Sequence, residues 1–289
     1  MESSQRIESV LENTLLHAQS KDGPPLLQQA IGYAVFPGGA RVRPRLTLAV
    51  AAACGTDCPR LTEGAAAAIE LLHCASLVHD DLPCFDDASI RRGKPSVHAA
   101  FGEKIAVLTG DALIVLAFEA LARGGREQPT RLPQVLGLVA AGVGSPHGIV
   151  AGQSWECEDE VVLSQYQQSK TGALFAAATM AGAAAAGDDP AAWRHLGACL
   201  GEAYQVADDL RDVLACSEEC GKPVGQDVAL DRPSVARELG VQGAVDRLQA
   251  LIEDALATIP ACPGREALQA LLVAESKRFL PKGLAQRPA

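Results

Sequence analysis

The sequence predicts an all-α protein folded as a single domain, and three observations carry that reading. Alanine, the strongest helix former, comes in runs such as Ala65–Ala68 and Ala183–Ala186. β-branched residues are concentrated nowhere along the chain. Gly and Pro breaks are short (Asp22–Pro25, Pro37–Gly39, Arg123–Pro129, Gly187–Pro190, Ala261–Gly264), and apolar residues recur between them at three-to-four spacing over roughly 15–25 residues. No tandem repeat, low-complexity tail or linker divides residues 1–289.

Two helices stand out. The first, Thr62–Leu82, ends at Pro83 and sets His73, Ser76, Leu77, Asp80 and Asp81 on one face. The second, from about Pro190 to Cys216, repeats the pattern with Gly201, Gln205, Asp208 and Asp212.

Bulk properties narrow the partners. At 289 residues, 48% hydrophobic and 21% charged, the chain buries a sizeable core and is not generally disordered. A net charge of −10 argues against nucleic acid, so an anionic ligand would need local arginines or a bound cation. The nine cysteines are odd in number and scattered; Cys54/Cys58 and Cys216/Cys220 are four apart, which is not zinc-knuckle spacing. With an N-terminus, MESSQRIESV, that shows no basic or apolar signal region, they read as reduced thiols of a cytoplasmic protein. Two uncharged stretches invite a membrane reading and fail it. Thr171–Gly187 is short and weakly apolar, and Leu132–Trp155 is broken by Pro133, Pro146, His147 and Gln153. No membrane span is expected.

The acids carry the chemistry. Asp80-Asp81-Leu-Pro-Cys-Phe-Asp86-Asp87 closes the first helix, and Asp208-Asp209-Leu-Arg-Asp212 lies within the second. Carboxylates on a buried helical face cost several kcal/mol unless positive charge sits beside them. Two such helices read as facing walls that share hard cations, and magnesium suits oxygen ligands that bridge to phosphates. Asp188-Asp189-Pro190 is an internal contrast: with no third acid, it reads as a helix cap before a proline at the first helical position.

Cations follow. Arg91-Arg92-Gly93-Lys94-Pro95 comes directly after the first acids, and Gly38-Gly39-Ala40-Arg41-Val42-Arg43-Pro44-Arg45 lies upstream. Alone, such strings are usually solvated surface. Beside an Asp-rich metal site they become diphosphate clamps, because arginine forks onto phosphate oxygens and glycine lets backbone approach closely. Lys170-Thr171-Gly172 and Gly221-Lys222-Pro223 are similar Gly-rich settings for a cation or hydroxyl.

Taken in order with Gly152-Gln153 and Gln205-x-x-Asp208-Asp209-x-x-Asp212, these motifs resemble the trans-prenyl diphosphate synthases from about residue 25 to 280. Val35–Pro95 and the segment Gly225-Gln226-Asp227 to Arg232-Pro233 are most similar to the bacterial geranylgeranyl diphosphate synthases of carotenoid and bacteriochlorophyll pathways. The resemblance implies an isoprenoid synthase fold, about a dozen helices around a deep central cavity, usually as a homodimer. It implies a catalytic set of Asp80, Asp81, Asp86, Lys170, Asp208 and Asp209. Within it, Asp80, Asp86, Asp208 and Asp212 would bind magnesium, about three ions per site, with Asp81 and Asp209 supporting. Arg91, Lys170, Thr171 and Gln205 would hold the allylic diphosphate (dimethylallyl, geranyl or farnesyl), and Arg43, His73 and Arg92 the isopentenyl diphosphate. Lys222 and Arg232 would be further diphosphate contacts.

The chain also departs from the family. Ala40 replaces a usual lysine, a role that Arg41 or Arg45 could fill. Arg232 replaces a lysine, Glu156 replaces an aspartate, and Arg211 is an unusual cation expected to point away from the metals. Ala75 and Ser76 are small where short-chain members often carry an aromatic floor, which favours a C20 product over farnesyl diphosphate. A class I terpene cyclase would show a different second motif and more than 4% aromatics. A metal phosphohydrolase would need further His ligands, and a non-catalytic subunit would be expected to lose Asp-rich ligands.

Overall fold

The computed structural model describes residues 3–36, 38–55, 58–214 and 235–276. They are almost wholly helical. In order come α1 (Ser3–Ala18), α2 (Pro25–Val35), α3 (Val42–Ala53), α4 (Pro59–Asp80), α5 (Val97–Phe101), α6 (Glu103–Gly124) and α7 (Leu132–Val143). There follow α8 (Ile149–Trp155), α9 (Leu163–Gln167), α10 (Ala173–Ala186), α11 (Arg194–Leu214), α12 (Val235–Ala257) and α13 (Arg265–Ser276). Among the described residues the single sheet is a hairpin, β1 (Ile90–Arg91) paired antiparallel with β2 (Lys94–Pro95). Its two-residue turn has positive φ at both positions, Arg92 at 53° and Gly93 at 75°, the combination that matches strand twist.

Both helices singled out in the sequence are present with shifted ends. The first starts earlier, because Pro59 suits the first turn where no N–H is needed, and it stops at Asp80. The second begins with a 3-10 turn, Pro190–Trp193, before α11 proper.

The described residues sort into two compact units, residues 1–140 with 178–190, and residues 141–177 with 191–289. In the first unit α4 packs against α1, α2, α3 and α6. Its alanine run, Ala65–Ala68, is fully buried. A Cβ placed on Gly64 would lie 2.8 Å from the Ala120 carbonyl, so α4 and α6 touch backbone to backbone. On α4, His73, Ser76, Leu77 and Asp80 are half-buried, while Cys74, Ala75 and Val78 are buried. The three-to-four spacing therefore does mark one semi-open face. Asp81 is the exception: it is the first residue past the helix, and it is buried.

In the second unit α11 packs on α12 and on a π turn, Gln168–Gly172, which α8 and α9 also contact. A Cβ on Gly201 would stand 2.7 Å from the Gly172 Cα, so that contact needs two glycines.

Two helical stretches, Pro59–Asp80 and Glu103–Glu127, are long and apolar enough to cross a membrane by length and composition. Neither is one of the two stretches, Thr171–Gly187 and Leu132–Trp155, that the sequence offered for a membrane reading. The apolar window is 78% buried inside the protein in the first and 44% in the second.

Candidate active site

The first acidic cluster is built by a chain reversal at the end of α4. The Asp86 amide donates to the Asp80 carbonyl at 3.0 Å, Asp87 N–H to Leu82 at 3.1 Å, and Ala88 N–H to Asp81 at 3.1 Å. The loop thereby returns Asp86 to Asp80 despite the intervening residues. Arg91, projecting from β1, then binds the acids. Its Nε donates to Asp81 Oδ1 at 2.9 Å, its second nitrogen bonds the same oxygen, and it lies 3.9 Å from Asp80 Oδ2. Burial pushes the Asp81 carboxyl above its usual pKa, against the pull of Arg91. Burial works against the charge on Arg91 too, but Asp81, Asp80 and Asp86 together hold its pKa above the usual value.

The three residues expected at the isopentenyl diphosphate come together in the same unit. Arg43 Nη1 lies 3.4 Å from His73 Nε2. Guanidinium only donates, so that ring nitrogen accepts. Desolvation, then Arg43 and Arg92, hold the His73 pKa well below its ordinary value, and the imidazole is neutral. Arg92 lies over Gly39: a Cβ there would sit 2.9 Å from the guanidinium. Gly38-Gly39 thus makes room for side chains.

Two cations of these motifs have other work. Arg41 is buried, donating to Glu70 Oε1 at 2.6 Å, Glu8 Oε1 at 2.8 Å and the Val35 carbonyl at 2.8 Å. Burial opposes its charge, and Glu8 and Glu70 overcome that, raising its pKa. Arg41 is therefore committed within the protein and does not replace the cation missing at Ala40. Lys94 is not a clamp either. Its ammonium donates to the Tyr33 and Phe36 carbonyls at 2.6 and 2.8 Å, capping the end of α2, and sits 3.8 Å from the Tyr33 ring centroid.

In the second unit the π turn presents Lys170 and Thr171. Such turns are frequent at functional sites, because the extra residue re-aims side chains. Lys170 Nζ donates to Glu156 Oε1 at 2.7 Å, and the Tyr166 hydroxyl donates to the same oxygen at 2.6 Å. Thr171 Oγ1 donates to Gln205 Oε1, Gln205 Nε2 to Asp209 Oδ1, each at 3.0 Å, and the Val235 amide opening α12 donates to Asp209 Oδ2 at 2.8 Å. Asp209 is buried at 2% exposure, and the Asp208 side chain is 34% exposed. Asp212 is buried at 9%.

Arg211 departs from expectation. It stands 3.8 Å from Asp208 Oδ1 and over the Tyr204 ring, because its Nε is drawn to the Ala207 carbonyl one turn back. Asp188 and Asp189 stand exposed just before the 3-10 turn opened by Pro190, where Asp188 Oδ1 accepts the Asp189 amide at 2.8 Å. Lys222 and Arg232 lie outside the described residues.

Sequence reasoning missed Glu8, Glu70, Tyr166 and the Val235 amide. Glu70 carried a signal: a lone acid inside the apolar run Ala65–Leu72 must be paired if buried. The others are contacts that no local pattern encodes.

Residues 24–265 match the polyprenyl synthetase family. A geranylgeranyl diphosphate synthase of Cereibacter sphaeroides is 52% identical over 283 residues, covering 98% of each chain. One of Rhodobacter capsulatus is 50% identical over 268 residues, covering 93% of each. A solved geranyltransferase of Helicobacter pylori, complexed with magnesium and isoprenyl diphosphate, shares the fold at TM-score 0.81 and 32% identity, over 94% of each chain. With an acidic motif closing α4, another within α11, and a family match over residues 24–265, the chain belongs to the polyprenyl synthetase family.

Proposed function

We propose that the chain is a geranylgeranyl diphosphate synthase, condensing dimethylallyl, geranyl and farnesyl diphosphates with isopentenyl diphosphate. The observation that carries this reading is a division of labour repeated in both acidic motifs. The leading carboxylate is the more open (Asp80, Asp208), and the next is buried and held by protein donors (Asp81 by Arg91, Asp209 by Gln205 and the Val235 amide). The leading acids then serve as ligands, and Asp81 and Asp209 are positioning residues.

Hard carboxylate oxygens fit magnesium. Asp80 with Asp86, and Asp208 with Asp212, would hold it, about three ions per active site. When bound, magnesium stabilises charge on the departing diphosphate. Lys170 and Thr171 orient the allylic diphosphate, and Arg43 and Arg92 take the isopentenyl diphosphate. Neutral His73 offers no charge and instead accepts from Arg43, fixing its direction. Apolar side chains of α4 keep water from the allylic cation. The isopentenyl double bond attacks, and the lost proton goes to the released diphosphate.

The chain works as one synthase domain, a reading supported by the unbroken family match over residues 24–265. A homodimer is supported by exposed Val107, Leu108 and Val115 on α6. A place in the cytoplasm is supported by seven described cysteines that are all free thiols, and carotenoid-type isoprenoid supply by the likeness of Val35–Pro95 to bacterial synthases of such pathways. Asp111, charged and exposed midway along α6, favours a helix outside any bilayer. The acidic net charge of −10 supports the absence of a nucleic-acid partner.

The test is incorporation of labelled isopentenyl diphosphate with each allylic primer, in magnesium and in chelator. Magnesium-dependent incorporation is expected. A hydrocarbon formed from primer alone would identify a cyclase, and no product a non-catalytic subunit.

A further inference from the structure

We propose that His195, Cys199 and Asp254 form a binding site for a transition-metal dication of the Zn²⁺ class, apart from both acidic motifs and independent of the prenyl-transfer reading. His195 and Cys199 sit four residues apart on one face of α11, and Asp254 reaches them from α12. His195 Nε2 lies 3.2 Å from Asp254 Oδ2, and Cys199 Sγ lies 3.4 Å from each of those atoms. The three ligand atoms thus form one small triangle.

The shape of that triangle separates two readings. In a thiol–imidazole–carboxylate nucleophile the acid and the thiol occupy opposite ring nitrogens. Here both address Nε2, and one N–H cannot point at two partners. A metal resolves the crowding. Zinc bonds of about 2.0–2.3 Å at tetrahedral angles put ligand atoms roughly 3.4–3.6 Å apart, close to the observed edges. Thiolate, neutral imidazole and carboxylate balance a dication and leave the fourth position to water, since His195 and Asp254 are exposed. Magnesium is excluded by the sulfur and nitrogen donors. Asp208 lies nine residues along α11 from Cys199, about 13 Å at helical rise, so the two sites are distinct. The metal would brace α11 to α12, as the neighbouring Arg247–Glu202 ion pair already does.

The test is cobalt titration of the chelator-treated full chain, read by the thiolate-to-cobalt charge-transfer band and the visible bands of tetrahedral cobalt. Wild type should saturate at one equivalent, with zinc but not millimolar magnesium displacing it. Cys199→Ser should lose the charge-transfer band. His195→Gln and Asp254→Asn, at exposed positions that leave the fold intact by circular dichroism, should weaken cobalt binding more than about tenfold. Cys84→Ser, altering an exposed thiol in the first acidic loop, should keep the band. Absence of a thiolate band in wild type, its survival in Cys199→Ser, or its loss in Cys84→Ser would overturn the proposal.

Discussion

Charge placement at single residues decides much of what this protein can do. Arg41 and Glu70 are both at most 4% exposed at their side chains and lie 2.6 Å apart. Removing Arg41 strands Glu70 in a low-dielectric interior, whereas Arg41 without Glu70 keeps Glu8 and the Val35 carbonyl. Arg41→Met should therefore cost about 3–5 kcal/mol of stability, measured by denaturant unfolding, and Glu70→Gln less. Asp80 and Asp81 are neighbours with different duties, and substitution should separate them. Asp80→Asn should lower turnover at least about 10²-fold with an unchanged melting temperature. Asp81→Asn should lower the melting temperature as well, because Arg91 loses its buried partner, and Asp188→Asn should do neither. His73 titrates below its unfolded value of about 6.5, so the unfolded chain binds more protons just below that pH. Stability should fall as pH drops through 6.5, by at most about 1.4 kcal/mol per unit from this group, and His73→Gln should flatten that part of the pH profile.

At the scale of elements, α4 and α11 were legible in the sequence because three-to-four spacing and proline punctuation agree in both, joined in α4 by the alanine run Ala65–Ala68. The π turn was not: Lys170-Thr171-Gly172 reads as helix or loop, and only its contacts with Gly152 and Gly201 select the extra residue. The hairpin was equally hidden, since its strands are two residues long. The cations divide in the same way. Arg43, His73 and Arg92 form one group as expected, whereas Arg41 and Lys94 are taken by partners that sequence spacing cannot reveal. Product length belongs to this scale too. Ala75 is 2% exposed on α4, one residue from half-buried Ser76. Ala75→Phe adds a ring where the packing is closed, costing about 1–3 kcal/mol, and by family resemblance it floors the tail's path. The variant should shift the main product from C20 to C15; an unchanged profile in an active variant would put the floor elsewhere.

For the whole molecule, the two units each carry one acidic motif, one set of diphosphate-binding candidates and a buried second aspartate, Asp81 or Asp209, held by protein donors beside a more open leading one. The two acidic helices were legible in the order of motifs along the chain, because metal-assisted diphosphate chemistry leaves few ways to keep so many acids in an apolar helical protein; the two units, and the burial of Asp81 and Asp209, were not. The central claim is that this chain makes a C20 prenyl diphosphate by magnesium-dependent condensation. Its most direct test is chromatography of the dephosphorylated products formed from farnesyl diphosphate and labelled isopentenyl diphosphate. Geranylgeraniol that appears with magnesium and vanishes in chelator is the predicted result. A fully active enzyme in chelator, or products ending at C15 when geranyl diphosphate is the primer, would contradict it.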